Sequence, residues 1–343
     1  MRFGKPDDTI VHQEAPLNAE PPRRALAATP VTPLERFYVR NHGPIPETAR
    51  PLRVEGLVAE PLELSLEDLQ ALPRRELTAT LQCAGNRRAA LLAVRDIPGE
   101  VPWGPGATGT ARWAGAALAD VLAAAGVDPE ARHVALRGAD RSEEADPPQD
   151  YDVSIPLAKA LCPEVLLAWE MNGEPLAPVH GAPLRAVVPG YIGARSVKWL
   201  ERVELRRNPS EGYFQAIAYR LDDLPLGEVA VNADFLIPDA GARVAAGPVD
   251  LRGYAFAGGG RRVARVELSA GGDGWVEAEL GEDLGPWAWR LWRARLELSP
   301  GRGELLVRAW DDAGATQPED PATVWNPKGY ANNAWGRLTL ECR

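Results

Sequence analysis

Hydrophobic and polar positions follow one texture up to about residue 215 and another beyond it. In the first stretch Ser65 followed three residues later by Asp68 is a capping-box signature, and Leu66, Leu69 and Leu72 continue at helical spacing. This predicts a short helix over 65–72. The run AGAALADVLAAAGVD, 114–128, places Leu118, Val121 and Leu122 on one helical face and closes on Gly126, a C-cap residue. APLRAVVPG, 182–190, reads as a buried strand. After 215 the helical spacing stops. RVARVELSAGGDGWVEAEL alternates Val266 and Leu268 with polar neighbours, turns at Gly271 to Gly274 and alternates again, which is a hairpin pattern. GELLVRAWDDAG, 303–314, repeats that rhythm. The expected fold class is α+β: a mixed domain over 31–215 followed by a β-sandwich over 216–343. Residues 1–30, rich in Pro and polar groups, are expected to run as an extended arm with no fold of their own.

Composition narrows the partners. With 343 residues, 45% hydrophobic and 25% charged, the chain can build two cores. Thirty-eight basic against 48 acidic residues leave a net charge of −10, which opposes binding to nucleic acid or anionic membrane. Cys83, Cys162 and Cys342 form no disulfide framework and fit a reducing compartment, the cytoplasm by default. The N-terminal segment lacks a continuous apolar stretch. Arg23-Arg24 is followed by a run broken by prolines, so neither an export signal nor a membrane span is expected. The terminal Glu-Cys-Arg is not a peroxisomal address.

Several patterns carry little chemistry. His12, His42, His133 and His180 have no zinc-helix spacing, and no Cys-x-x-Cys occurs. Gly104-Pro-Gly106-Ala-Thr-Gly109 matches G-x-G-x-x-G but follows no strand and carries Pro105 where a phosphate loop needs an N–H. Gly258-Gly259-Gly260 reads as a tight turn between strands. LQCAGNRR, 81–88, is different. Small residues beside Cys83 leave room around the thiol, and Arg87 and Arg88 favour a thiolate, the form that ligates a metal. Arg40, Arg88, Arg185, Arg195 and Arg261 sit beside Gly, Pro or Asn in loops and, if they converge, make an oxyanion pocket within an acidic protein.

FYVRNHGPIP (37–46), LQCAGNRR (81–88), TARWAGAALADVL (110–122), YDVSIPLAKAL (151–161), LAWEMNGEPLAPVHGAPLRAVVPGYIGARSVKWL (167–200) and WNPKGYANNAW (325–335) together resemble the sulfite oxidase family of molybdenum-cofactor enzymes. The likeness runs from about residue 30 to 340, and it implies a catalytic domain followed by an immunoglobulin-like dimerisation domain, hence a homodimer. It makes Cys83 the protein ligand of molybdenum, whose other ligands would come from one pyranopterin dithiolene and two oxo groups. It assigns Phe37, Tyr38, Val39, Arg40, Asn41, His42, Asp140, His180, Arg185, Ser196, Val197 and Lys198 to the pterin and its phosphate. The substrate set is Arg40, Arg88, Trp103, Tyr151 and Arg261, and the implied reaction is oxidation of sulfite to sulfate by oxo transfer. No stretch resembles a cytochrome b5 domain and no Cys-x-x-Cys-His is present, so no haem is expected. Electrons would pass to oxygen or to a separate acceptor protein. Nitrate reductase and sulfoxide reductase are rival readings, and Arg261 is the position that favours sulfite over nitrate.

Overall fold

The computed structural model describes residues 4–47, 50–271 and 274–343. The first domain is built on two five-stranded sheets. In one, Thr108–Ala117 lies between Arg75–Gln82 and Leu166–Met171, both antiparallel to it, with Glu174–Pro175 and Arg185–Val187 also pairing Leu166–Met171. The other runs Leu62–Leu64, Leu52–Gly56, Leu200–Arg206, His133–Ser142, Gln149–Pro156, with one parallel pair, Leu52–Gly56 against Leu200–Arg206. Val54, Leu118, Val121, Leu122, Val134, Leu136, Val153, Ile155 and Val203 are fully buried in the largest core cluster. Burying each such side chain contributes roughly 1.5–3 kcal/mol.

The capping box forms as read: Ser65 and Asp68 bond reciprocally and the helix is Leu66–Gln70. The second helix is shorter than its pattern. It spans Leu118–Ala125, with Gly126 at φ +70° as its cap, and Ala114–Ala117 belong to the preceding strand. That strand is buried on both faces, so it has no alternation to betray it. Gly115 fits because a Cβ there would meet the Leu167 carbonyl oxygen at 2.0 Å. APLRAVVPG contributes only Arg185–Val187 as strand.

The arm is part of the first domain's structure rather than a draped extension. Ile10–Glu14 pairs with Leu17–Glu20, which pairs with Val39–Arg40, and Leu26 is buried. The phosphate-loop-like glycines are satisfied internally: the Gly104 and Gly106 N–H groups donate to Glu20 Oε1 and Oε2, at 2.6 and 2.8 Å.

The C-terminal domain is a sandwich. One sheet orders Asn232–Ile237, Gly247–Phe256, Arg290–Leu298 and Glu279–Leu280; the other orders Arg243–Val244, Gly336–Cys342, Gly301–Asp311, Val263–Ala270 and Val276–Glu277. Phe235, Leu251, Val266, Leu268, Trp292, Val307 and Leu338 fill the space between. The expected hairpin pairs Glu267 with Glu277; Gly272 and Asp273 of its turn lie outside the described residues. Gly259 and Gly260 take φ of +66° and +73°, as a tight turn requires.

Candidate active site

Three segments converge on one deep cavity of about 640 Å³, mouth included. Strand Arg75–Gln82 ends at Cys83, whose Sγ receives the Gly85 N–H at 3.4 Å. The Val39–Arg40 edge brings Phe37, Tyr38, Arg40 and His42, and the loops around Arg185–Val187 bring His180, Arg185, Ser196, Val197 and Lys198. Asp140 and Tyr151 complete the wall from the neighbouring sheet. Gly85 is small because of Arg88: a Cβ would lie 2.8 Å from the Arg88 Cζ.

The cavity is crowded with cations. Arg185 donates to the His180 and Ser196 carbonyls at 2.9 and 3.0 Å, and burial lowers its pKa to about 10. Lys198 bonds the Asn41 side chain and the Val179 carbonyl; burial, then Arg185, drives its pKa well below the usual lysine value. Lys5, from the N-terminal segment, donates to the Leu34 and Phe37 carbonyls at 2.7 and 2.8 Å and lies 3.0 Å from His180 Nε2, with its pKa lowered by burial to about 8. His42 is held neutral by burial and by Arg40, its pKa down at about 4. Its Nδ1 faces Arg40 Nη2 and Glu144 Oε1 at 3.0 and 2.8 Å, and its Nε2 faces the Tyr219 hydroxyl at 2.7 Å. Burial opposes the charge on Arg40, but Tyr219, Glu144 and Cys83 outweigh it and raise the pKa. Asp140, buried, is pushed up to about 6 against the pull of Lys198. Burial also raises the Cys83 thiol, while Arg40, Arg88 and the Gly85 N–H pull it down.

Most of the expected residues meet here, and some do not. Val39 points into a separate apolar cluster with Leu17, Ala19 and Val179. Asn41 acts through Lys198 rather than as a wall. Arg88 stands behind Cys83, bonded to the Val101 and Lys328 carbonyls and paired with Glu100 at 3.0 Å. Trp103 is buried in the apolar cluster that includes Cys83, edge-on to His12, and is not part of the cavity wall. Tyr151 lines the cavity, but its hydroxyl is committed to the Ala194 carbonyl at 2.8 Å. Arg261 does not join the site. It donates to Gly258 O, lies 3.2 Å from the buried Asp311 carboxylate and 3.7 Å from Glu228, and serves the turn after three glycines.

Sequence reasoning missed Tyr219 and Tyr330. Tyr219 reaches the cavity after the turn Phe214–Ala218, stacks on Tyr330 at 5.5 Å and is close enough to Cys83 and Arg40 for their charges to act on it. The aromatic run YFQAIAY was the signal available for Tyr219, and Tyr330 lies within the segment WNPKGYANNAW.

The donors fit a molybdenum pterin cofactor. Among the described residues no cluster of three His, Cys, Asp or Glu gathers for a metal, so Cys83 supplies one soft donor and the remainder must come with the cofactor. The side-chain amide nitrogen of Asn41 and the side-chain amide oxygen of Gln82 are buried without partners. Arg185, Arg40 and Lys5, after burial, disfavour the charge on Lys198, and a bound phosphate would relieve it.

Comparison with known proteins agrees. The oxidoreductase molybdopterin-binding domain family matches residues 42–214, and the Mo-co oxidoreductase dimerisation domain family matches 226–342. Mitochondrial sulfite oxidase of Mus musculus is 42% identical over 98% of this chain and 67% of its own length. Sulfite oxidase of Arabidopsis thaliana is 40% identical over 96% of this chain and 93% of its own. A nitrate reductase of Hordeum vulgare is 36% identical over 96% of this chain but 41% of its own length. The sulfane dehydrogenase SoxCD of Paracoccus pantotrophus superposes with a TM-score of 0.83 at 27% identity, over 96% of this chain and 85% of that one.

Proposed function

The chain belongs to the sulfite oxidase family of molybdopterin oxidoreductases, and from that premise we propose that it oxidises sulfite to sulfate and passes the electrons to oxygen or to a separate acceptor protein. The observation that carries this is the pairing of one buried thiol with fixed guanidinium charges, Arg40 and Arg88, inside a chain of net charge −10. The bound molybdenum pterin supplies oxygen-atom transfer and two-electron redox chemistry. Cys83 holds the metal as thiolate. Burial holds the free thiol's pKa up and Arg40, Arg88 and the Gly85 N–H oppose it only in part, so the bound metal would have to supply the rest of the stabilisation of the thiolate. His180, Arg185, Ser196, Val197 and Lys198 hold the anionic end of the cofactor.

Arg40 stays protonated at every working pH and lines the cavity as a fixed positive charge for an oxyanion, its guanidinium held by Asn18, Asn41 O, His42 and Glu144. Tyr219 stays a phenol because burial raises its pKa, and its bond to His42 fixes the hydroxyl near the Cys83 side. With Arg261 outside the site, the choice of sulfite over nitrate rests on the family relationship and on this anion geometry. The C-terminal domain, matched as a dimerisation domain, makes a homodimer the proposed assembly. The deciding experiment is steady-state turnover of the molybdenum-loaded protein, sulfite with ferricyanide beside nitrate with reduced viologen. Sulfite oxidation is expected, and turnover of nitrate alone overturns the proposal.

A further inference from the structure

The loop that carries Cys83 is held from outside its own domain. Residues 84–88 are fixed to the C-terminal sandwich at every step but the glycine. The Ala331 N–H donates to Ala84 O at 2.8 Å, and Asn86 Nδ2 donates to the Tyr254 hydroxyl at 2.8 Å. Arg87 Nε donates to Asp234 Oδ2 at 2.7 Å, Asn332 Nδ2 donates to Arg87 O at 2.8 Å, and Arg88 Nε donates to Lys328 O at 2.8 Å. Asn86, Arg87, Arg88, Asp234 and Asn332 are all buried. Both chains of contact are bent: Arg87 and Ala331, neither of them glycine, hold φ of +66° and +54°. Such backbone persists where surrounding contacts over-determine it. From the loop's own domain come chiefly backbone bonds, such as Cys83 N–H to Ala107 O and Arg87 N–H to Gly104 O, together with the Arg88–Val101 and Arg88–Glu100 contacts.

We infer that the Arg87–Asp234 ion pair is a positioning device, through which the C-terminal domain sets where the Cys83 thiolate and the Arg88 charge stand, a role separate from dimerisation. Asp234 and Asn332 act through Arg87 and touch neither substrate nor cofactor. The inference rests on Cys83 being the metal ligand. Misplacing a ligand or a charge by about 1 Å costs on the order of 100-fold in rate.

The test uses molybdenum-loaded protein at matched metal content. Asp234→Asn is expected to lower kcat for sulfite about tenfold or more and to shift the thiolate-to-metal absorption band, with Asp234→Glu recovering part of both. Asp239→Asn, which removes the exposed Arg24–Asp239 pair between the same two domains, is expected to change neither. Tyr254→Phe, which deletes only the hydroxyl that Asn86 uses, gives the same readout should Asp234→Asn fail to fold. Wild-type kcat and an unshifted band in Asp234→Asn, or in Tyr254→Phe should Asp234→Asn not fold, overturn the inference, whatever happens to the melting temperature. Cys83→Ser separates the two ideas. If it loses the band while Asp234→Asn keeps it, the positioning role alone falls; if Cys83→Ser keeps the band, the metal assignment falls with it.

Discussion

Cys83 and Arg261 show how far a single residue can be read from its neighbours. Both sit within a few positions of glycine and arginine in the sequence, yet one lines a cationic cavity and the other lies on a turn beside the buried Asp311. For Cys83 the sequence signal was local, because the small residues and Arg88 that shape its surroundings are within five positions. For Arg261 it was not, because whether its side chain reaches the cavity depends on where the second domain docks. Cys83→Ser should keep the fold and lose at least about 100-fold in turnover, since a hard hydroxyl replaces a soft thiolate. Arg261→Met should leave kcat/KM for sulfite unchanged and cost about 1–3 kcal/mol of stability by stripping the Asp311 carboxylate of its cation. A raised KM in that variant, measured at equal molybdenum content, would return Arg261 to the site. Tyr151 and Tyr219 both line the cavity with hydroxyls already bonded, to the Ala194 carbonyl and to His42 Nε2, but Tyr219, which arrives from a turn with no periodic signature, is the one on which the Cys83 charge acts. Tyr219→Phe is therefore expected to lower kcat/KM more than Tyr151→Phe does.

At the scale of elements, alternation exposed the sandwich strands and the capping box exposed the first helix, but a strand buried on both faces merged into the helix behind it. The N-terminal arm was illegible for a different reason. Its strands are short, its neighbours are prolines, and its stability comes from partners far along the chain: Glu20 on Gly104 and Gly106, Lys5 on His180. The glycine motif that resembles a phosphate loop does bind an anion, the carboxylate of this chain's own Glu20, which His12 also meets at 2.7 Å. Glu20→Gln keeps the shape but removes the charge from three contacts. It should lower stability by about 1–2 kcal/mol, seen as a reduced denaturant midpoint, with sulfite kinetics unchanged once the cofactor is loaded. An unaltered midpoint would show that the arm is held by its apolar contacts alone.

Across the whole molecule the contrast is between a net charge of −10 and a cavity walled by Arg40, Arg185 and Lys198, with Lys5 beside His180, around two neutral histidines. The pH dependence of stability in the cofactor-free protein follows from that arrangement. His42 has a folded pKa of about 4 against an ordinary 6.5, so between those values the unfolded chain takes up a proton that the folded one refuses, and stability falls as pH drops through that window. The full shift corresponds to roughly 3 kcal/mol. Asp140, raised to about 6, works the other way: below pH 6 the folded protein binds a proton that the unfolded chain does not, which offsets much of the His42 loss. His180 and Glu144 then decide the sign: burial, Lys5, Lys198 and Arg185 depress His180 well below 6.5 against only a Leu34 backbone contact, and the lowered Glu144 carboxylate also loses stabilisation as pH falls. Net stability should therefore decline on acidification from pH 6.5 to 4.5. The bound cofactor would change the curve, since its phosphate would offset the cations that, after burial, keep both histidines uncharged. The loaded protein should melt higher at every pH, with the gap widening toward acid. Thermal melts of both forms at pH 7.5, 6.0 and 5.0 measure this, and a gap that closes on acidification would mean that the cationic wall does not face the cofactor's anionic end.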